Sequence, residues 1–317
     1  MVYVMSIIRV EYGREKYDFT LTLYPSFNYV FFEQVSRDKW VKRYGDIKLT
    51  LKVDRRGFIE VKCTDNSKLD YEYVLDITGL WFNPLEYYDK LPRSIRSKLE
   101  RIIEVYSCLR LSINRVERDY ILVSVALSRR TDFHRNTVRW CRRIFSTIKD
   151  IGDILGLNLE SIATSYQVKQ LNEILRGYLE LKSVIDKYYS ECNLASLRRT
   201  LLRIKWFGVK STDAFILFSS RMTQSTPCDI HFQRFTKRLH LVDYKHIPSK
   251  SLCSKYYCDV CPHTSSCLYS LSIKYFKSLS GWIQTVAYVH DKEYCSKGRC
   301  LECPLRVECS LPTPHKL

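Results

Sequence analysis

The sequence predicts an α+β protein in which a small antiparallel sheet, over residues 1–83, precedes an all-helical core, 84–250, and a cysteine-rich region, 251–317. Two observations carry this. Segments before residue 80 alternate apolar and polar side chains, whereas from Pro84 onward apolar residues recur at three and four. Eight of the thirteen cysteines then fall into two runs of one spacing. A chain of 317 residues, 45% hydrophobic and 27% charged, has the length for two sizeable cores and an ordinary globular composition.

Within the first region, residues 17–24, 47–53 and 58–62 are the expected strands, with a turn over 54–57 joining the last two. Residues 1–8 are apolar but have no basic residues ahead of them and no small-residue cleavage site, so they read as a further strand rather than a signal peptide. Nothing here has catalytic spacing, and the sheet is expected to buttress the helices. Residues 69–79 read as the hinge into the helical core, where helices are expected through 95–106, 120–127, 136–148, 165–178 and 194–204. No stretch is long enough to span a bilayer, which points to an intracellular protein, in the cytoplasm or nucleoid, with no membrane partner. A monomer is expected.

A net charge of +17 and a pI near 9.3 favour an anionic partner, because basic surface raises both affinity and association rate for nucleic acid. The excess is spread through Arg129-Arg130, Arg142-Arg143, Arg198-Arg199 and the segment from Arg234 to Arg238, as a surface built across a fold would be.

The densest signal is Leu201-Leu-Arg-Ile-Lys-Trp-Phe-Gly208 followed by Val209-Lys210-Ser211-Thr212-Asp213 and an apolar run to Phe218, then Pro227-Cys-Asp229-Ile-His231. It reads as a helix, a tight turn at Gly208, a second helix, and a third that opens on Asp229. Amides at such a turn, with the positive end of the helix dipole, suit a phosphate. Gly208, Ser211 and Thr212 are therefore candidate DNA contacts, the two hydroxyls serving equally as caps.

This stretch resembles the helix-hairpin-helix (HhH-GPD) DNA glycosylases, whose hairpin runs like Leu-Pro-Gly-Val-Gly-x-Lys-x-Ala-Asp before Val-Asp-x-His. Laid on without gaps, Lys210 takes the place of the nucleophilic lysine and Asp229-Ile-His231 that of Asp-x-His, a 19-residue step like that of the 8-oxoguanine glycosylases. Lys205 and Trp206 stand where proline and the first glycine are usual, and a register that keeps Gly208-Val209 as Gly-Val would put Thr212 in the lysine's place. The N-terminal sheet is similar to that of the 8-oxoguanine and alkylbase glycosylases, with residues 27–32 a loose echo of their aromatic strand.

The resemblance implies a base-excision enzyme that flips a damaged or mismatched base from duplex DNA, an oxidised purine first, with an AP-lyase step. Asp229 would stabilise positive charge growing on the deoxyribose, and the amine of Lys210, desolvated at a helix start, would attack C1′. His231 would orient a phosphate or pack under its helix. Arg129 or Arg130, after the segment 123–128 that resembles the family's Ile-Leu-Ser-Gln-Asn-Thr, would enter the space the base leaves. The alternatives are a monofunctional glycosylase for alkylated or deaminated bases and a non-catalytic iron–sulfur DNA-binding protein.

The cysteine runs are Cys253-x4-Cys258-x2-Cys261-x5-Cys267 and Cys295-x4-Cys300-x2-Cys303-x5-Cys309. Four thiolates so spaced read as ligands for an iron–sulfur cluster or zinc. The second run lies where iron–sulfur glycosylases carry a [4Fe–4S] cluster, with a first gap of four residues against their six. The first is an insertion that would hold a second [4Fe–4S] cluster or zinc. Cys228, beside Asp229, is a candidate pocket wall.

Overall fold

A computed structural model describes residues 7–13, 16–54, 56–63 and 69–310. Five antiparallel strands form one sheet: β1 (Ile7–Glu11), β2 (Phe32–Ser36), β3 (Lys39–Lys42), β4 (Leu49–Asp54) and β5 (Phe58–Cys63), in the order β1-β5-β4-β3-β2. The alternation seen in the sequence sets the register. Leu51 and Val61 face each other across β4 and β5, Val10 and Ile59 across β1 and β5, and all four are buried on the helical side. The expected strand over 1–8 lies mostly outside the described residues, with only its end entering β1.

One expected strand is a helix. Residues 17–24 carry Phe19–Leu23, whose start is capped by the Asp18 carboxylate accepting from the Leu21 amide at 2.9 Å. Phe19, Thr22 and Leu23 are the buried positions, so the spacing of three and four wins over the apparent alternation once Asp18 offers a cap. The hinge is likewise a helix, Tyr71–Thr78, and the 27–32 segment is a turn of 3-10 helix, Phe27–Phe31, leading into β2.

The helical body runs through Arg93–Tyr106, Arg118–Leu127, Val138–Phe145, Leu171–Ser190, Leu194–Leu202, Val209–Ser219, Ile230–Arg238, Leu268–Phe276 and Ser280–His290. Val209–Ser219 is buried along almost its whole length, packed between Arg118–Leu127 and Leu194–Leu202. Ser280–His290 crosses it at Gly281, where a Cβ would meet the Leu217 side chain and the Thr223 carbonyl. Only glycine fits that crossing. No helix among the described residues is long and apolar enough to cross a membrane.

Sheet and helices are joined at a buried carboxylate. Glu117, just ahead of Arg118–Leu127, accepts from Lys42 Nζ at 2.8 Å, Tyr73 OH at 2.7 Å, Asn114 Nδ2 at 2.9 Å and the Asp46 amide at 2.7 Å. Lys42 donates its other protons to the carbonyls of Tyr44 at 2.9 Å and Ile47 at 2.7 Å, so every strong group of the pair is satisfied. Burial alone would push Glu117 up, but the Lys42 charge and the Asn114 bond hold its carboxyl below the usual range. Gly45, at φ +81, passes so close to this carboxylate that a side chain there would strike it.

Glu117→Gln leaves the Lys42 ammonium buried without its counter-charge, and urea unfolding should show a loss of about 3–5 kcal/mol. A loss below about 1 kcal/mol would mean that the joint is held by packing alone.

Candidate active site

The hairpin forms as expected, between Leu194–Leu202 and Val209–Ser219, but its left-handed residue is Trp206 at φ +64, not Gly208. Gly208 is extended, at φ −91 and ψ 176, and opens the second helix. Ile204 and Phe207 are buried and anchor the turn. Its carbonyls are held by cations: Lys250 Nζ donates to Ile204 at 2.8 Å and Phe207 at 2.9 Å, and Arg129 Nη1 to Trp206 at 2.8 Å. No side chain caps the second helix, so its first amides are left without a side-chain acceptor at the place where an anion is expected.

The two hairpin helices are clamped by charge. Arg198 Nε reaches Asp213 Oδ1 at 2.6 Å and Nη2 reaches Oδ2 at 3.1 Å, both side chains being buried, with Tyr269 stacked 4.0 Å from the guanidinium. Burial pushes the Asp213 carboxyl up, and Arg198 pulls it back. A third arm, Nη1, lies 3.9 Å from Cys258 Sγ, which ties the first cysteine run to the hairpin.

Lys210 and Asp229 come together. Lys210 Nζ lies 3.7 Å from Asp229 Oδ2 at a cavity of about 110 Å³ walled by Phe27, Phe133, Phe218 and Tyr288. Phe27 meets Phe133 and Phe218 edge to face, each at 5.3 Å between ring centres. Asp229 caps Ile230–Arg238 by accepting from the Phe232 amide at 2.9 Å, and its second oxygen takes Gln284 Nε2 at 3.3 Å. The carboxylate side chain is 6% exposed and the lysine 57%. The fold alone therefore does not desolvate the amine, contrary to expectation.

Thr212 is wholly buried, and its hydroxyl finds no partner among the described residues. Its expected part as a DNA contact is thus closed to it in this conformation, as is the cavity, whereas Lys210 and Ser211 both line that cavity. The ungapped register is the one that brings an amine to the carboxylate. Cys228, the other candidate wall, is buried behind Pro227 and Asp229 and does not line the cavity.

His231 Nδ1 lies 2.6 Å from Asp291 Oδ2, which also accepts from Ser296 Oγ at 2.8 Å and faces Arg234 at 3.7 Å. Burial would raise the Asp291 carboxyl, but the bonds from His231 and Ser296 hold it below the usual range. The ring also sits edge-on to Tyr288, 5.0 Å away, at the cavity wall.

Arg129 and Arg130 part ways. Arg129 is turned inward, with Nε on the Ala126 carbonyl at 2.7 Å and Nη1 on Gln170 Oε1 at 2.9 Å as well as on Trp206, so it braces the hairpin and cannot also serve as a wedge in this conformation. Arg130 is exposed, in a left-handed conformation at φ +49.

The eight cysteines of the two runs are half-buried and form no disulfide among the described residues. Burial pushes Cys258 and Cys295 up to about 11 and raises Cys267 and Cys303. Each loop is pinned to the helical body. Leu268 N bonds the His246 carbonyl at 2.9 Å beside the first run, and Ser310 N bonds the Arg238 carbonyl at 2.8 Å after the second. No group of three or more His, Cys, Asp or Glu side chains stands in a ligating array among the described residues.

The cavity walls were not foreseen. Phe27, Phe133 and Phe218 come from three separated segments and carry no common spacing, whereas Gln284 and Tyr288, four apart on Ser280–His290, were the one detectable signal.

No family model matches the chain, and no curated protein does. Solved structures do. MBOgg1 in complex with a low-affinity DNA ligand superposes with a TM-score of 0.66 at 16% identity, over 92% of this chain and 99% of that one. The Clostridium acetobutylicum 8-oxoguanine glycosylase/lyase, in complex with double-stranded DNA containing cytosine opposite 8-oxoguanine, gives 0.64 at 12%, over 88% and 93%. The 3-methyladenine DNA glycosylase of Archaeoglobus fulgidus gives 0.57 at 12%, over 90% and 98%. The chain therefore has the α+β fold of helix-hairpin-helix DNA glycosylases, across nearly its whole length.

Arg129→Ala should lower stability by about 1–3 kcal/mol, since it removes the donor to the Ala126 and Trp206 carbonyls and to Gln170 and strips the packing of a half-buried side chain. Arg130→Ala should change it by less than about 0.5 kcal/mol. Thermal or urea unfolding of both variants checks the division of labour, and equal losses would overturn it.

Proposed function

We propose that the protein is a DNA base-excision glycosylase that draws a damaged base from the duplex into the aromatic cavity and carries an AP-lyase step. The observation that carries this is the meeting of Lys210 and Asp229, 3.7 Å apart, at a cavity of aromatic walls beside uncapped helix amides. Flat walls suit a flat heterocycle, and Gln284 and the Tyr288 hydroxyl, which has no partner among the described residues, can hydrogen-bond its edge. An oxidised purine is the first choice of base, supported by the 8-oxoguanine enzymes among the structural neighbours.

In this reading the bond from C1′ to the base breaks as the Lys210 nitrogen bonds to C1′. The departing base takes up the proton that the alkylated amine sheds, and the adduct opens to an imine, from which loss of a C2′ proton expels the 3′ phosphate and cuts the strand. Asp229 offsets the positive charge that builds on the sugar, held by the Phe232 amide so that one oxygen faces the reaction. His231, fixed by Asp291, and the hairpin amides would position the backbone, and Arg130 would fill the vacated stack.

The cysteine runs fit thiolate-ligated metal by donor chemistry: eight half-buried thiols in two loops of one spacing. We assign Cys295, Cys300, Cys303 and Cys309 to a [4Fe–4S] cluster and Cys253, Cys258, Cys261 and Cys267 to a second cluster or zinc. The metal would pin each loop; none of the steps above passes through it.

Asp229→Asn should cut excision from lesion-bearing duplexes by roughly a hundred-fold or more while DNA binding holds, because asparagine caps the helix as well as aspartate does. Borohydride should trap a covalent protein–DNA adduct with the native chain and none with Lys210→Gln. Base release with no trapped adduct would place the chain among monofunctional glycosylases, and excision by Asp229→Asn within threefold of native would remove that residue from the mechanism.

Metal analysis of the purified protein should return roughly eight iron atoms, or roughly four iron and one zinc. Two zincs and no acid-labile sulfide would overturn the iron–sulfur assignment for both runs.

A further inference from the structure

Trp206 is the one residue of the hairpin that neither packing nor backbone geometry accounts for. Among the described residues, five other than glycine have positive φ, and Trp206 carries the largest side chain of them. At φ +64 a Cβ is disfavoured, and a glycine would adopt the same turn without strain. Nor does burial explain the indole. Trp40, Trp140 and Trp282 lie in the core, whereas Trp206 is 45% exposed.

The side chain is nonetheless held in place. Its Nε1–H donates to Glu173 Oε2 at 2.8 Å, the same carboxylate takes Lys205 Nζ at 2.7 Å, and Lys205 lies 5.1 Å from the indole ring. The backbone is fixed from the other side by Arg129 on its carbonyl. Around it Arg203, Lys205 and Lys210 are all exposed, so one short turn presents three cations and a rigid aromatic face beside uncapped helix amides. Cations that follow a backbone, with an aromatic plane between them, are the chemistry of nucleic-acid strand binding.

We infer that Trp206 is a stacking platform for a nucleotide of the bound DNA strand, next to the phosphate gripped by the hairpin amides. The inference rests on the glycosylase reading and adds to it a contact that a glycine at this turn could not make. A strained residue persists where the surroundings over-determine it, and Glu173 and Arg129 do that here. The indole is ordered before DNA arrives, so little freedom is lost when a base or deoxyribose face settles on it.

The test uses the purified full chain and a duplex carrying a tetrahydrofuran abasic analogue opposite cytosine, titrated over a range of salt. Trp206→Gly and Trp206→Asn both accept a left-handed backbone, and Trp206→Phe keeps a ring. The glycine and asparagine variants should bind roughly five- to a hundred-fold more weakly, the loss of one base–aromatic stack, with the slope of log K against log salt unchanged because no cation is lost. Trp206→Phe should stay within threefold of native. Native fluorescence should be quenched on binding, and that quenching should vanish in Trp206→Phe. Native-like affinity in either non-aromatic variant that melts as native does would overturn the platform while leaving the glycosylase reading intact. A flattened salt slope would overturn it too, since it would show that the backbone grip had been disturbed. A native chain that binds no DNA would instead sink the glycosylase reading, and the platform with it.

Discussion

The site depends on a charge pair buried beneath it. Arg198 and Asp213 lie one on each arm of the hairpin, buried, and joined by two hydrogen bonds of 2.6 and 3.1 Å. A hairpin turn of six residues between two helices has few contacts of its own, and this pair fixes the angle at which the second helix leaves it. That angle brings Lys210 to Asp229, while Thr212, two residues on, faces the core. Desolvation makes such a pair costly to bury and costly to break, so it is strong in specifying one arrangement even where it adds little net stability.

The hairpin was legible in the sequence because its signals are local: helical spacing on either side of Gly208, an apolar second helix, and an aspartate placed to cap the third. The fold class followed from period, and three of the five strands were read at least in part. The helix at Phe19–Leu23 was misread because its Phe-Thr-Leu-Thr-Leu alternates like a strand, and only the Asp18 cap and the contact of Thr22 with the Arg110 amide decide otherwise. Strands β2 and β3 went unseen because they are short and lie at one side of the sheet, where few side chains are buried.

The pocket was legible only at its chemical edge. Lys210 and Asp229 stand out because their spacing in the chain bears meaning, but Phe27, Phe133 and Phe218 are brought together by folding alone. The same limit applies to Arg129. As a sequence its two arginines are equivalent, and what separates them is that a carbonyl left exposed by the left-handed Trp206 lies within reach of one guanidinium and not the other.

The joint at Glu117 also bears on how the chain can be divided. Its donors come from the β3–β4 connection, from β3 itself, from Tyr71–Thr78 and from the turn at Asn114, up to 75 residues from it along the chain. A fragment ending near residue 83 would keep Lys42 and Tyr73 but lose the carboxylate they surround, and the remainder would keep a bare carboxylate in a cavity with no donors from the sheet. Neither piece is closed in its hydrogen bonding. Sheet and helices are thus one inheritable module, to be transplanted between proteins together or not at all, and a recombination point at their apparent boundary would cut through the least divisible part of the molecule.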